Sequence, residues 1–80
     1  MNIIIEKQVG QNIRMIREQK GFTQNALATQ LQLLGCDITR SSIAKIEVGQ
    51  RHLYPDELIL IKNILSTSFD EILDVSINSF

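Results

Sequence analysis

The chain has 80 residues, 44% of them hydrophobic, and a formal net charge of −1, enough for one small domain near the lower limit of an independent core. Its single cysteine, Cys36, excludes an internal disulfide framework, and no run is apolar enough over sufficient length to span a membrane. The opening MNIIIEKQ lacks the basic start and cleavage site of a secretory signal, so a cytoplasmic location is expected.

Taken in order, Ile3, Ile4 and Ile5 read either as a short extended arm or as a hydrophobic entry to helix 1. Helix 1 is expected from about Glu6 or Lys7 to Lys20, with Val9, Ile13 and Ile16 inward at i, i+4 and i+7 and Gly21 as its stop. Gly10 inside it marks either a close helix crossing or a frayed first turn. Thr23 is a capping residue for helix 2, whose Leu27, Leu31 and Leu34 should form one buried face before Gly35 closes it. Thr39 caps helix 3, which runs from Arg40 to Val48 and stops at Gly49, with Ile43 and Ile46 inward.

Helix 4 opens with Pro55 at its first position and Asp56 and Glu57 in its first turn, with Leu58, Ile61 and Leu65 inward. Ser68 and Glu71 have capping-box spacing and open helix 5, with Ile72 and Leu73 inward. The expectation is an all-α, five-helix domain over residues 1–80, with a core at 6–74 and an apolar tail at 75–80. Phe69, Leu73, Ile77 and Phe80 would share a stripe if helix 5 continued, whereas the alternation of Val75 and Ile77 allows a strand. Either way the tail is expected to form a homodimer contact.

Charge is unevenly placed. Residues 7–52 carry seven cations against three anions, and residues 53–80 carry one against five. The basic half coincides with helices 2 and 3. On helix 3, Arg40, Ser41, Ala44 and Lys45 fall opposite the apolar stripe, giving a short-chained, polar, cationic face. Such a face suits the DNA major groove: Arg and Lys donate to guanine, Ser to several base edges, and Ala touches a thymine methyl.

The ordered run Thr23-Gln24, Leu27-Ala28, Thr39-Arg-Ser-Ser-Ile43 and Lys45-Ile46-Glu47-x-Gly49 resembles the helix-turn-helix of the phage repressor/Cro-type DNA-binding family. With IRMIREQKGF before it and LYPDELILIKNIL and SFDEIL after it, the resemblance covers roughly residues 9–74. The seven residues QLLGCDI between Leu31 and Thr39 depart from the family's short turn of about two. Ile38 is expected to take the place of the apolar turn residue, and the longer turn bears on how helix 3 is angled.

The resemblance implies a transcriptional regulator, with repression the expected outcome, binding an inverted repeat in double-stranded DNA as a homodimer with helix 3 in the major groove. Base contacts are expected from Arg40, Ser41, Ala44 and Lys45, with Arg40 foremost. Phosphate contacts are expected from Thr23, Gln24, Ser42, Arg51, Arg14 and Lys20. The resemblance also pairs Arg17 with Glu47 as a structural ion pair. No cofactor, metal or catalytic group is expected: Cys36 and His52 are too few for a zinc site, and Ser41, Ser42 and His52 have no catalytic spacing. The rival reading is a protein-interaction module, such as an antitoxin-like or anti-repressor partner gripped through the tail and the acidic helices 4 and 5.

Overall fold

A computed structural model describes residues 2–75, all of them in helices, turns or irregular connections. The helices are α1 (Ile3–Gln19), α2 (Gln24–Leu33), α3 (Arg40–Glu47), α4 (Pro55–Ile64) and α5 (Phe69–Ile72). The tail at residues 76–80, and with it most of the expected dimer contact, lies outside the described residues.

α1 starts at Ile3 rather than at Glu6 or Lys7. Asn2 is the reason: its Oδ1 accepts from the backbone N–H of Ile4 at 2.9 Å and of Ile5 at 3.2 Å, satisfying donors that a helix start leaves orphaned. The three isoleucines are therefore the first turn of the helix and not an extended arm. Ile13 and Ile16 point into the core and Val9 packs at its edge. At the other end Arg17 and Glu18 accept from Phe22 and Gly21 N–H, and the chain reverses into α2.

Thr23 Oγ1 accepts from Ala26 N–H at 3.0 Å, and Thr39 Oγ1 from Ser42 N–H at 3.1 Å, so each helix of the central pair begins on a threonine cap. α2 buries Leu27, Ala28 and Leu31 but not Leu34. Helical geometry ends at Leu33, and Leu34 is the C-cap. There the chain turns through Gly35 at φ +82°, with Cys36 N–H on Leu31 O and Gly35 N–H on Gln32 O. This paired closure leaves Leu33 and Leu34 largely exposed. Ile38, in the longer turn, supplies the apolar side chain there and is fully buried in the core. Gln32 Nε2 donates to Ile38 O at 2.7 Å, tying the longer turn to the helix it leaves.

α3 places Ile43 and Ile46 in the same core, joined by Ile61 and Leu65 from α4 and Ile72 from α5. Each such side chain stabilises by roughly 1.5–3 kcal/mol at most on full burial. α5 is one turn long. Ser68 Oγ accepts from Glu71 N–H at 3.1 Å and lies 3.3 Å from the Glu71 carboxylate, which closes the cap through the side chains. Ile72 points inward, but Leu73, expected beside it, is the C-cap and is exposed, and the helix does not continue. Asn12 Nδ2 donates to Ile72 O and Asp74 O, both at 2.9 Å, and holds the end of α5 against α1.

Gly10 marks the close crossing of α1 over α3. A Cβ there would strike the carbonyl oxygen of Ile46 and lie 3.0 Å from Glu47 Cα and carbonyl carbon. Near the far end of α3, Gly49 (φ +78°) sits against Lys7, whose Cα would be 3.1 Å from a Cβ at that position. α1 thus lies backbone to backbone along α3, and it fixes where the outward face of α3 points.

Candidate nucleic-acid interface

With Ile43 and Ile46 packed inward, the positions left on the outside of α3 are Ser41, Ala44 and Lys45, with Arg40 at the N-terminal edge and Val48 at the C-cap that follows the helix. Arg40, Ser41 and Lys45 are exposed, and Ala44 is half-buried. Among the described residues the side chains of Arg40, Ser41 and Lys45 have no hydrogen-bond or ion-pair partner. They are free to meet a ligand without giving up an internal contact. Ser42 differs: its hydroxyl lies 3.1 Å from Thr39 Oγ1 and belongs to the helix cap.

The start of α2 and the start of α3 open onto one concave surface. Gln24, Thr39, Arg40, Ser41 and Ala44 line one part of it. Arg14, Arg17, Thr23, Gln24, Asn25 and Arg40 line the adjoining part. Arg40 and Gln24 belong to both, so the expected base-reading edge and the expected phosphate-binding edge meet at these two side chains. Gln24 and Asn25, the first two residues of the ten-residue α2, line this surface, so the positive end of the helix dipole lies beside it, a setting that favours a phosphate oxygen. Asn25, which the sequence reading passed over, stands beside Gln24 here; its place as the second residue after the Thr23 cap was the available signal.

Beneath this surface lies a buried polar link. Arg17 Nε donates to Glu47 Oε2 at 2.7 Å and Nη2 to Glu47 Oε1 at 3.1 Å, while Nη1 donates to Phe22 O at 2.7 Å. Gln24 Nε2 adds a third donor to the Glu47 carboxylate at 3.0 Å. Both charged residues are buried. The hydrogen bond to Glu47 pushes the Arg17 guanidinium further up, against the opposing effect of burial, so it stays charged. Through Glu47, α1, α2 and α3 are locked at one point, and the Gln24 amide is oriented before any ligand arrives.

The other basic candidates are placed differently. Arg14 lines the concave surface and makes only an exposed 3.7 Å contact with Glu18, so it can be redirected at little cost. Lys20, the C-cap of α1, is exposed but does not line that surface. Arg51 is taken by internal partners. Its Nη1 donates to Glu57 Oε1 at 2.9 Å and to His52 O at 3.0 Å, its Nη2 donates to Glu57 Oε2 at 3.0 Å, and its guanidinium lies 5.6 Å from the Tyr54 ring centroid. It joins the α3–α4 connection to α4, where Glu57 also accepts from Tyr54 N–H at 3.0 Å. His52 contacts Glu6 at 2.6 Å across the start of α1.

Glu57 provides a pH handle on this connection. Burial alone would raise its carboxyl, but the hydrogen bonds from Arg51 and Tyr54 N–H, with the Arg51 charge, outweigh burial and hold it below the ordinary value of 4.5. The folded state therefore binds this proton less readily than the unfolded state. The resulting stability is present above the unfolded pKa and is lost as pH falls through the folded one. Urea denaturation between about pH 6 and pH 3 should show a shallower acid loss of stability in Glu57→Gln than in the parent. Identical slopes would mean that Glu57 is not coupled to folding.

Among the described residues no group of three or more His, Cys, Asp or Glu side chains could hold a metal ion. Cys36 is half-buried in the turn before α3, and burial pushes its thiol up, away from the reactive thiolate. No helix among the described residues is long and apolar enough to cross a membrane. In comparison with known proteins, a family model described as helix-turn-helix matches residues 13–72, from the core of α1 to the end of α5. No curated protein and no solved structure matches the chain.

Proposed function

Because this chain belongs to the helix-turn-helix family of the phage repressor/Cro type, and is thereby a DNA-binding transcriptional regulator, we propose that it represses transcription by occupying an inverted-repeat operator as a homodimer. In this reading α3 of each subunit enters the major groove, and the two grooves lie about 34 Å apart on one side of the duplex. Arg40, Ser41, Ala44 and Lys45 contact base edges. Arg14, Thr23, Gln24 and the N-terminal N–H groups of α2 hold phosphate, with Lys20 a peripheral charge. The single observation that carries the reading is that α3 presents Arg40 and Ser41 beside the start of α2, their side chains and that of Lys45 unpartnered among the described residues.

A dimer is supported by Phe69 at the start of α5 and Leu73 at its C-cap, both exposed apolar residues, where the chain leads into the apolar tail. The cytoplasm is the proposed site of action.

The test is selection from a randomised duplex library with purified protein at low and then physiological salt, alongside the Arg40→Ala variant. The parent should enrich an inverted repeat, and Arg40→Ala should lose roughly 1–3 kcal/mol of discrimination at one position of each half-site. Salt-labile binding with no enriched sequence would remove specific repression and leave only backbone attraction. No binding in either salt would transfer the reading to a protein-interaction module, with the apolar tail and the acidic helices α4 and α5 the first places to examine.

A further inference from the structure

The geometry points to Val48 as a reader of the thymine 5-methyl group, an inference that rests on the proposed placement of α3 in the major groove. Val48 is the C-cap that ends α3, and it follows Ser41, Ala44 and Lys45 at i+7, i+4 and i+3, which continues their outward side past the last helical residue. It is 48% exposed and belongs neither to the buried core nor to the partly buried side chains packed against it. Its neighbours on the same face are a hydroxyl, a methyl and two cations, so it is the one sizeable apolar side chain on a surface otherwise suited to hydrogen bonding.

The floor of the major groove presents donors, acceptors and one apolar group, the thymine methyl. A helix that inserts Val48 there gains stabilisation only where that methyl is present, because valine offers nothing to a guanine or cytosine edge and leaves their polar atoms unpaired. Ala44 and Val48 are one helical turn apart, with Cβ atoms roughly 5–6 Å from each other. Base pairs rise by about 3.4 Å. The two side chains therefore address positions one to two base pairs apart. Arg40 begins the same helix, so the half-site should combine a guanine under the start of α3 with a thymine under its end.

The experiment uses the full chain and the duplex recovered by selection, with each thymine replaced singly by deoxyuridine, which removes the methyl and leaves pairing intact. Binding by the parent should weaken about fourfold at one thymine of each half-site, the ratio expected for losing one buried methyl. Val48→Ala, with unchanged thermal unfolding, should bind the thymine and deoxyuridine duplexes equally. 5-Methylcytosine at that position should bind the parent more tightly than cytosine does. If Val48→Ala keeps the parent's preference for thymine at every position, or weakens binding to thymine and deoxyuridine duplexes by the same factor, methyl reading by Val48 is overturned while operator binding stands. If selection enriches no sequence at all, the proposed repression falls first and this inference falls with it.

Discussion

Glu47→Ala is expected to leave the domain unfolded or close to it at 25 °C. The substitution removes an acceptor that takes two hydrogen bonds from Arg17 and one from Gln24, and it strands the charge of Arg17, a residue only 7% exposed. Breaking one partner of a buried pair costs about 3–5 kcal/mol, because the remaining charge keeps its desolvation penalty without its counter-ion. A domain of this size has about 4–12 kcal/mol in total. Arg17→Met with Glu47→Leu should recover most of that loss, since an apolar pair of similar volume fills the site without either charge. The recovered protein should still bind its operator less tightly, because Gln24 would have lost the carboxylate that orients it. Urea denaturation followed by circular dichroism checks the stabilities. A Glu47→Ala loss near 0–1 kcal/mol would be the behaviour of an exposed pair and would contradict the burial of this one.

That pair is legible only through the family resemblance, because 30 positions separate its two members and no local signal joins them. The starts of α2, α3, α4 and α5 were legible because a cap is a local event: Thr23, Thr39, Pro55 and Ser68 each act on residues within one turn of themselves. The inward stripes on α1 and α3 were legible for the same reason. Leu34 and Leu73 were misplaced because periodicity extrapolates past the last hydrogen-bonded turn, and where a helix stops decides whether the next leucine has a core to face. Asn2 was an available cap signal, overlooked beside a run of β-branched residues that also suits an extended arm. The outward side of α3 is legible from spacing alone as far as Lys45, whereas Val48, just before Gly49, reads only as the end of the helix. The partners of Arg51 could not be read that way. Whether that arginine faces phosphate or Glu57 depends on how the α3–α4 connection folds over the start of α4, which the five intervening residues do not encode locally.

Gly10→Ala should destabilise the fold by about 2–3 kcal/mol, although the same change on an exposed helix surface would stabilise it by about 1 kcal/mol. The reason is the atom it meets. A Cβ at Gly10 runs into the Ile46 carbonyl oxygen and into Glu47 backbone, so no side-chain rotation relieves it and α1 must move off α3 as a unit. Moving α1 loosens the packing of Ile13 and Ile16 against Ile43 and Ile46 and stretches the Arg17–Glu47 link on the same side of the helix. For a chain of this length the loss corresponds to a fall in Tm of roughly 10–20 °C. Gln11→Ala, one position along on an exposed face of α1, is the control and should leave Tm within a few degrees of the parent. Operator affinity should fall in Gly10→Ala even at temperatures where it is fully folded, because the α1 backbone sets the angle at which α3 leaves the core. A variant with reduced Tm but unaltered affinity would show that α3 holds its angle through α2 alone. A variant as stable as the parent would show that the two backbones are not in contact at Gly10.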